Sequence, residues 1–293
     1  RYLSSKFKSY FMTICESSSS KVSLVSLPIM GIPPPKLLLP CLMMTIFLFL
    51  IIPSATQLSF SYSDFNKTLI LSGNATVSGS VIQLTPNAVD NWGRVTYSEP
   101  LHLWDKESRK LSEFTTKFSF IIDSEGKDRY SDGITFFLAS PDFPPPRPTD
   151  GAGIGLISRD QARDSSFLDA NKFVAVEFDT FRNDELDPPE PVHEHVGINI
   201  NSIRSQNSTP WSSVIKENRT YSASISYDSA AQNLSVTFTG FSNGIIPIQQ
   251  HLSAIVDLRE YLPERVEFGF SSSTGLLSEL HILRSWSFES TPP

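Results

Sequence analysis

Sulfur is nearly absent from this 293-residue sequence. Both cysteines, Cys15 and Cys41, and all four methionines lie before residue 45, so the stretch from Gln57 to Pro293 contains no sulfur atom. This absence excludes disulfides, cysteine-ligated zinc, iron–sulfur clusters and thiol nucleophiles from that stretch. It also indicates that the first 56 residues and the remainder are segments of different kinds.

Long hydrophobic runs are scarce as well, and the longest spans residues 37–52. Lys36 precedes this run and small residues follow it, an arrangement typical of a secretory signal peptide. The alternative is a membrane anchor. The run is short for a hydrocarbon core of about 30 Å, Pro40 interrupts it, and no basic cluster follows, so we favour the signal peptide.

We therefore predict that residues 1–56 form a leader that is removed, with cleavage after either Ala55 or Thr56. Translation from Met30 would supply Lys36 as the basic region. The mature domain is then 57–293. We expect it to be secreted to an extracellular or vacuolar location and not to be inserted in a membrane.

Basic residues are scarce in the mature domain. It contains 19 Lys and Arg against 30 Asp and Glu, a net charge of −11. An acidic domain without a basic stripe argues against nucleic acid or an anionic membrane as a partner. Five Asn-x-Ser/Thr sequons predict surface glycosylation. They lie at Asn66, Asn74, Asn207, Asn218 and Asn233.

A sustained helical periodicity is also missing. We find no apolar stripe of helical spacing longer than about ten residues and no alternation of strands with helices, which disfavours a parallel-sheet enzyme. Segments rich in Val, Ile, Phe, Thr and Tyr recur instead, at 58–62, 114–122, 133–139, 173–180, 220–227, 233–240, 265–271 and 280–288. Several alternate with period two, as Phe118 and Phe120 alternate with Lys117 and Ser119. The sequence therefore predicts an all-β fold of antiparallel sheets packed face to face.

The aromatic and histidine residues outside these motifs have ordinary structural interpretations. Trp104, Trp211 and Trp286 are expected in the core. His102 and His281 are expected either at a strand surface or as hydrogen-bonded structural residues.

The segment 175–198 carries the densest chemistry. Glu177 and Asp179 are two residues apart on a predicted strand, so both carboxylates leave the same face. Asn183 and Asp187 follow in a loop, and His195 begins the next apolar run. If 173–180 and 195–201 pair as adjacent strands, the loop folds back over the carboxylates, which repel one another in the absence of a cation.

Two kinds of cation suit these side chains. Oxygens of Asp179, Asn183, Asp187 and the Phe181 carbonyl form a set that suits Ca²⁺. The mixed set Glu177, Asp179, Asp187 and His195 suits Mn²⁺ or another transition metal. The alternative is a solvated acidic loop without a metal.

The sequence resembles the legume lectins, the L-type lectins of plants, over residues 58–290. The resemblance is carried by Val174-Ala-Val-Glu-Phe-Asp-Thr180, His195-Val-Gly-Ile198, Asp132-Gly-Ile-Thr-Phe-Phe-Leu138, Gly93-Arg-Val-Thr-Tyr97 and Ile282-Leu-Arg-Ser-Trp-Ser-Phe288. It implies an antiparallel jelly-roll β-sandwich, the concanavalin-like lectin fold, with bound Ca²⁺ and Mn²⁺. It also implies reversible, non-catalytic carbohydrate binding by a homodimer or homotetramer.

The resemblance assigns roles residue by residue. The manganese ligands would be Glu177, Asp179, Asp187 and His195, and the calcium ligands Asp179, the Phe181 carbonyl, Asn183 and Asp187. The carbohydrate would contact Asp132, a backbone N–H of the stretch 151–155 at Ala152 or Gly153, Phe181, Asn183, and the variable loop with Gly275, Leu276 and Leu277.

Three departures from the family pattern affect this assignment. The stretch between Asp187 and His195 is about three residues longer than usual, which makes His193 an alternative metal ligand. Ala152 stands where glycine is usual. Ser131 replaces the usual alanine before Asp132, and the family's cis peptide bond at this position is expected to persist.

Three other functions compete with a soluble lectin. A sandwich-fold glycoside hydrolase needs a second glutamate beside Glu177 and Asp179, but Phe181 and Arg182 occupy that position. A truncated ectodomain of a lectin receptor kinase is the second alternative. A storage or defence homologue that has lost sugar binding is the third, although the metal-loop residues are present.

Overall fold

The computed structural model describes residues 57–65, 69–188 and 193–293. The predicted leader and the sequon at Asn66 lie outside these residues. The described chain forms sixteen strands, β1 to β16. In chain order they are Ser59–Tyr62, Leu69–Gly73, Thr76–Ser78, Val81–Thr85, Asn91–Tyr97, Leu101–His102, Phe114–Asp123, Gly133–Ala139, Phe173–Asp179, His195–Ile200, Asn207–Pro210, Thr220–Asp228, Asn233–Ser242, Ile246–Ile255, Arg265–Thr274 and Leu280–Ser290.

The helices in the described chain are short. Helix α1 is Arg159–Arg163, helix α2 is Ser165–Ala170, and a 3₁₀ helix spans Leu258–Glu260. Ser158 caps α1 through a reciprocal capping box with Gln161, and Asp164 caps α2. No helix among these residues is long and apolar enough to cross a membrane.

The strands form two antiparallel sheets, as the alternation in the sequence predicts. The sheet that we call the back sheet has the order β14-β13-β12-β7-β16-β4-β3, with β1 paired to β16. The front sheet has the order β11-β10-β9-β8-β15-β5-β2, with β6 paired to β15. Half of the neighbours in these orders, such as β7 and β16 or β8 and β15, are not consecutive along the chain, as in a jelly roll.

The main core lies between the sheets and is rich in aromatic residues. Phe118 and Phe120 of the back sheet pack against Phe178 of the front sheet, at ring-centroid distances of 6.0 and 4.9 Å. Trp104, Trp211 and Trp286 are buried in this core, which confirms their predicted role. Burial of this apolar surface supplies the main stabilisation of a domain without disulfides.

A second apolar cluster covers the outer face of the front sheet. Phe137 and Ala139 of β8 and Phe173 and Ala175 of β9 point away from the main core. Phe143, Ala152, Leu156 and Ile157 from the connection between β8 and β9 pack onto them. As a result every residue of β8 and β9 is buried, and polar side chains on that outer face are withdrawn from water.

All eight segments predicted as strands are strands, and 195–200 pairs with β9 as expected. Strands β2–β6, β11 and β14 were not among the predicted segments, and β14 is the longest of them. Its sequence, IPIQQHLSAI, contains proline and polar residues and shows little alternation in burial, because it is the edge strand of the back sheet.

Candidate metal and carbohydrate site

The register of three front-sheet strands brings the predicted metal ligands together. Asp179 at the end of β9 lies opposite Gly133 of β8 on one side and His195 of β10 on the other. Donor atoms of Glu177, Asp179 and His195 all lie within 4.8 Å of one another, and all three residues are buried. His193, the alternative ligand, is exposed, so the geometry favours His195.

Neighbouring polar groups orient Glu177. Asn199 Nδ2 donates to its Oε2 at 2.7 Å, and Ser205 Oγ donates to its Oε1 at 2.6 Å. Gly197 lies opposite Glu177 on β10, and a β-carbon there would approach Oε1 to 2.6 Å. Glycine at this position therefore leaves room for the carboxylate.

The electrostatics of this cluster indicate mutual repulsion. Burial raises the pKa of Asp179 well above its ordinary value, and the negative charges of Asp187 and Glu177 raise it further. Burial alone would lower the pKa of His195, but its hydrogen bond to Glu177 and the charges of Glu177 and Asp187 reverse the shift and raise it. A bound cation would relieve this repulsion between the carboxylates.

The loop after β9 places further oxygen donors beside the cluster. Asp187 accepts a hydrogen bond from the Asn183 backbone, and the Phe181 carbonyl accepts one from Asn183 Nδ2 at 3.3 Å. Asn183 Oδ1 accepts from the Arg159 guanidinium at 2.9 Å. The cluster thus combines one imidazole, three carboxylates, an amide and a carbonyl, a donor set that fits a hard cation and a transition metal side by side.

Asp132 lies next to this cluster. The Ser131–Asp132 peptide bond is cis, as expected, and the Asp132 carbonyl accepts a hydrogen bond from the Thr180 backbone at 3.1 Å. Its Oδ2 is buried without a hydrogen-bond partner among the described residues. Burial raises the pKa of Asp132 well above its ordinary value, and the negative charge of Glu279 adds to the effect.

Two glycines allow the backbone to approach the Asp132 carboxylate. A β-carbon at Gly151 would lie 2.1 Å from Oδ2, and one at Gly275 would lie 3.3 Å from it. Gly151 also has a φ of +77°, which favours glycine. The backbone contacts at Ala152 and Gly153, which the resemblance implies, stay predictions; Ala152 belongs to the second apolar cluster and Gly153 bridges to Ile157.

The remaining predicted carbohydrate contacts lie at the rim. Phe181 is half-buried, and a concave surface beside it is lined by Tyr130, His193 and Leu277 among others. Leu276 is 93% exposed at the tip of its loop. The rim therefore combines aromatic and aliphatic surface with the buried carboxylate.

Sequence reasoning missed the residues beneath the site. Glu279 is fully buried and accepts hydrogen bonds from Thr180 Oγ1 and, at 2.9 Å, from His281 Nε2 if that nitrogen carries the proton. His281 is thus one of the structural histidines expected. Glu279 immediately precedes β16, which begins at Leu280 and carries His281, and nothing in this stretch of sequence shows that both side chains are buried.

Four of the five sequons lie in the described chain. Asn74, Asn207 and Asn218 are exposed, which suits glycosylation, whereas Asn233 is half-buried at the start of β13. Glycosylation at each of them stays a prediction.

Comparison with known proteins agrees with this architecture. Residues 57–293 match the model of the legume lectin domain. An alpha-methyl-mannoside-specific lectin of Arachis hypogaea is 38% identical over 270 residues, which cover 87% of this chain and 93% of the relative. A galactose-binding lectin of the same plant is 38% identical over 263 residues, covering 86% and 90%.

Solved structures show the same likeness. Peanut lectin with a nine-residue peptide superimposes with a TM-score of 0.71 at 36% identity, covering 81% of this chain and 98% of that chain. The fold is therefore the carbohydrate-binding jelly roll of the lectins. The chain belongs to the legume lectin family, whose members bind carbohydrate without catalysis. These relatives give no support to the hydrolase and receptor-kinase alternatives.

Proposed function

We propose that the domain binds its carbohydrate reversibly at Asp132 and depends on Ca²⁺ and Mn²⁺ to do so. The observation that carries this proposal is the convergence of two features. A buried carboxylate with an unpartnered oxygen, that of Asp132, lies immediately before β8, and a cluster of mutually repelling ligands lies at the adjoining end of β9.

Each residue at the sugar site has a distinct role. The ionised Asp132 carboxylate accepts hydrogen bonds from two sugar hydroxyls. The backbone at Gly151 and Gly275 lies close to the Asp132 carboxylate, where it would contact the same sugar. The Phe181 ring packs on the apolar face of the pyranose, and the Asn183 amide donates to a sugar oxygen.

The cation ligands follow from the donor set. Glu177, Asp179, Asp187 and His195 would hold manganese, and Asp179, Asn183, Asp187 and the Phe181 carbonyl would hold calcium. When bound, the cations neutralise the converging carboxylates and order the loop that carries Phe181 and Asn183.

The experiment is a titration of the protein on a glycan array followed by calorimetry with the strongest glycan. Asp132→Asn should abolish binding, because an amide accepts fewer hydrogen bonds than a carboxylate, while the circular dichroism spectrum stays unchanged. Asp228→Asn, on the exposed end of β12, is the matched control. Dialysis against EDTA should also abolish binding, and full binding after complete cation removal would refute the metal dependence.

The identity of the sugar rests on the loop 274–278. Relatives of equal identity are named for a mannoside and for galactose, so overall similarity does not select between them. The exposed Leu276 and the half-buried Leu277 form an apolar rim. Polar residues at the same positions would instead donate hydrogen bonds to the sugar. We propose that this rim selects the glycan by apolar contact, which the array ranking tests.

We also propose that the domain is secreted and assembles through the outer face of the back sheet. The leader sequence supports the first point. Short side chains such as Ser222, Ser224, Thr237 and Thr239 on that face support the second, since they permit close sheet-to-sheet approach. A homodimer or homotetramer would add avidity to weak sites. N-terminal sequencing of the secreted protein and light scattering test the two points.

A further inference from the structure

A second group of metal-ligating side chains lies outside the lectin site. Ligand atoms of His102, Asp105 and Glu264 all lie within 4.8 Å of one another, and all three residues are half-buried. His102 ends β6 and pairs in register with Arg265, so Glu264 immediately precedes its cross-strand neighbour. The three side chains are thus brought together by strand pairing between distant parts of the chain.

Backbone hydrogen bonds fix the two segments that carry these side chains. The Leu103 backbone N–H donates to the Glu264 carbonyl at 2.8 Å. The turn that contains Asp105 is closed by its own N–H, which donates to the Lys110 carbonyl at 2.9 Å, and by the Arg109 N–H, which donates to the Asp105 carbonyl at 2.8 Å. The proximity of the three ligands is therefore a property of the fold.

One oxygen of each carboxylate accepts a backbone hydrogen bond that orients the side chain. The Ser108 backbone N–H donates to Asp105 Oδ1 at 2.7 Å, and the Lys106 backbone N–H donates to Glu264 Oε1 at 2.8 Å. Such outer hydrogen bonds are what orient carboxylates in metal sites.

The charges of these carboxylates are not balanced by the protein. In the part of the chain that the structure describes, no lysine or arginine lies within 4.0 Å of the Asp105 or Glu264 carboxylate. The nearby Arg109 instead lies over the Trp104 ring, 5.0 Å from its centroid, and approaches Glu260 at 3.9 Å. Two carboxylates beside an imidazole therefore lack a cationic partner.

We propose that His102, Asp105 and Glu264 form a binding site for a divalent transition metal, and that zinc is the metal that this site prefers. One nitrogen and two oxygens with a water in the fourth position make a tetrahedral zinc site. In such a site the donors are about 2.0–2.2 Å from the metal, so modest side-chain rotations close the present arrangement. Imidazole with carboxylates also favours zinc over manganese in the usual affinity order.

The half-exposed position of the three residues gives the metal a path from solvent and room for its water ligand. The site shares no residue with the lectin cluster, whose Glu177, Asp179 and His195 are buried. It therefore binds and releases zinc independently of the carbohydrate.

Equilibrium dialysis of the full chain against zinc tests the proposal, after loading with Ca²⁺ and Mn²⁺. The wild type should bind one more zinc per chain than His102→Gln. His251→Gln, which changes an exposed histidine on β14, is the matched control and should bind as much zinc as the wild type. The comparison between variants holds even if zinc also displaces manganese at the lectin cluster, because all three proteins share that cluster.

Two further readouts guard against a folding defect. Carbohydrate binding by His102→Gln should equal that of the wild type, since His102 is no part of the lectin site. Zinc should raise the melting temperature of the wild type and of His251→Gln more than that of His102→Gln, because a ligand of the native state stabilises it. Equal zinc content in wild type and His102→Gln, or equal loss in His251→Gln, would overturn the proposal.

Discussion

The centres of the two sheets differ in how many of their faces are covered. Strands β12 and β13 of the back sheet alternate between buried residues and residues in contact with water, whereas β8 and β9 of the front sheet are buried throughout. The cause is the second apolar cluster, which covers the outer face of the front sheet alone. The doubly covered sheet can therefore hold carboxylates away from water, where their interactions with cations and sugar hydroxyls are strong.

This placement has an electrostatic cost that the back sheet does not bear. Asp132, Asp179 and Asp187 all have raised pKa values, chiefly because burial disfavours their charged forms. The outer face of the back sheet instead carries serines, threonines and Lys117 in contact with solvent. Function and electrostatic strain thus coincide on one sheet.

The largest expected effect is loss of carbohydrate binding when a cation ligand in the loop beside the covered sheet is removed. Asp187→Ala should lose both cation and carbohydrate, because this carboxylate belongs to both predicted cation sites and holds the Asn183 backbone. Metal analysis after dialysis and calorimetry with the selected glycan measure the two losses. Asp228→Ala at the end of β12 should leave cation content and carbohydrate binding unchanged. If Asp187→Ala kept its cations, the assignment of cation binding to the covered sheet and its loop would be wrong.

The cover itself should be costly to disturb. Phe137 is fully buried in the second cluster, so Phe137→Ala should lower the free energy of unfolding by about 3–5 kcal/mol. Thr237→Ala, on the outer face of β13, should change it by less than about 0.5 kcal/mol. Urea unfolding measures both changes in the free energy of unfolding. Similar values would show that the second cluster contributes no more to stability than the solvent-exposed face of the back sheet.

The cation-free protein should become more stable as the pH falls, whereas paired carboxylates usually make a protein less stable at low pH. Asp132, Asp179, Asp187 and His195 have raised pKa values in the folded state, so the folded state binds protons more tightly than the unfolded chain. Their contribution to stability is therefore present at low pH and is lost as pH rises through the folded-state pKa values. In EDTA, the melting temperature should rise between pH 7.5 and pH 5.5.

Asp179→Asn supplies the control for that measurement. Removal of this charge should stabilise the cation-free protein at pH 7.5 and flatten its pH dependence, since repulsion by Asp187 and Glu177 contributes to the shift. Cation-loaded wild type should show the opposite slope, because protons compete with the cations for the same ligands. Equal slopes for loaded and cation-free protein would contradict the electrostatic account.

The smallest effect is expected at the rim of the covered sheet. Leu276 is 93% exposed, so Leu276→Ala should change the free energy of unfolding by less than about 0.5 kcal/mol. It should nevertheless alter the ranking of glycans on the array, because its side chain stands beside the proposed sugar contacts. An unchanged ranking would assign selection to other residues of the rim.

Much of the fold followed from local chemistry. Phe118 and Phe120 alternate with Lys117 and Ser119, and this period identified a strand with one wetted face. Glu177 and Asp179 share a face for the same reason. By contrast, nothing local distinguishes Gly151 from its neighbours Ala152 and Gly153 as the residue beside Asp132, because that contact joins distant segments.

The sequence by itself determined the eight predicted strands, the family and the kinds of side chain available as ligands, since these depend on side-chain periodicity and on residues close together along the chain. Tertiary structure alone decided which residues meet. Pairing of β9 and β10 placed His195 beside Glu177 and Asp179 and left His193 exposed, and packing of the β8–β9 connection buried the carboxylates. The same kind of distant pairing joined His102 to Glu264. The physical reason is that burial and electrostatic coupling depend on distances in space, which strand order sets and local sequence does not.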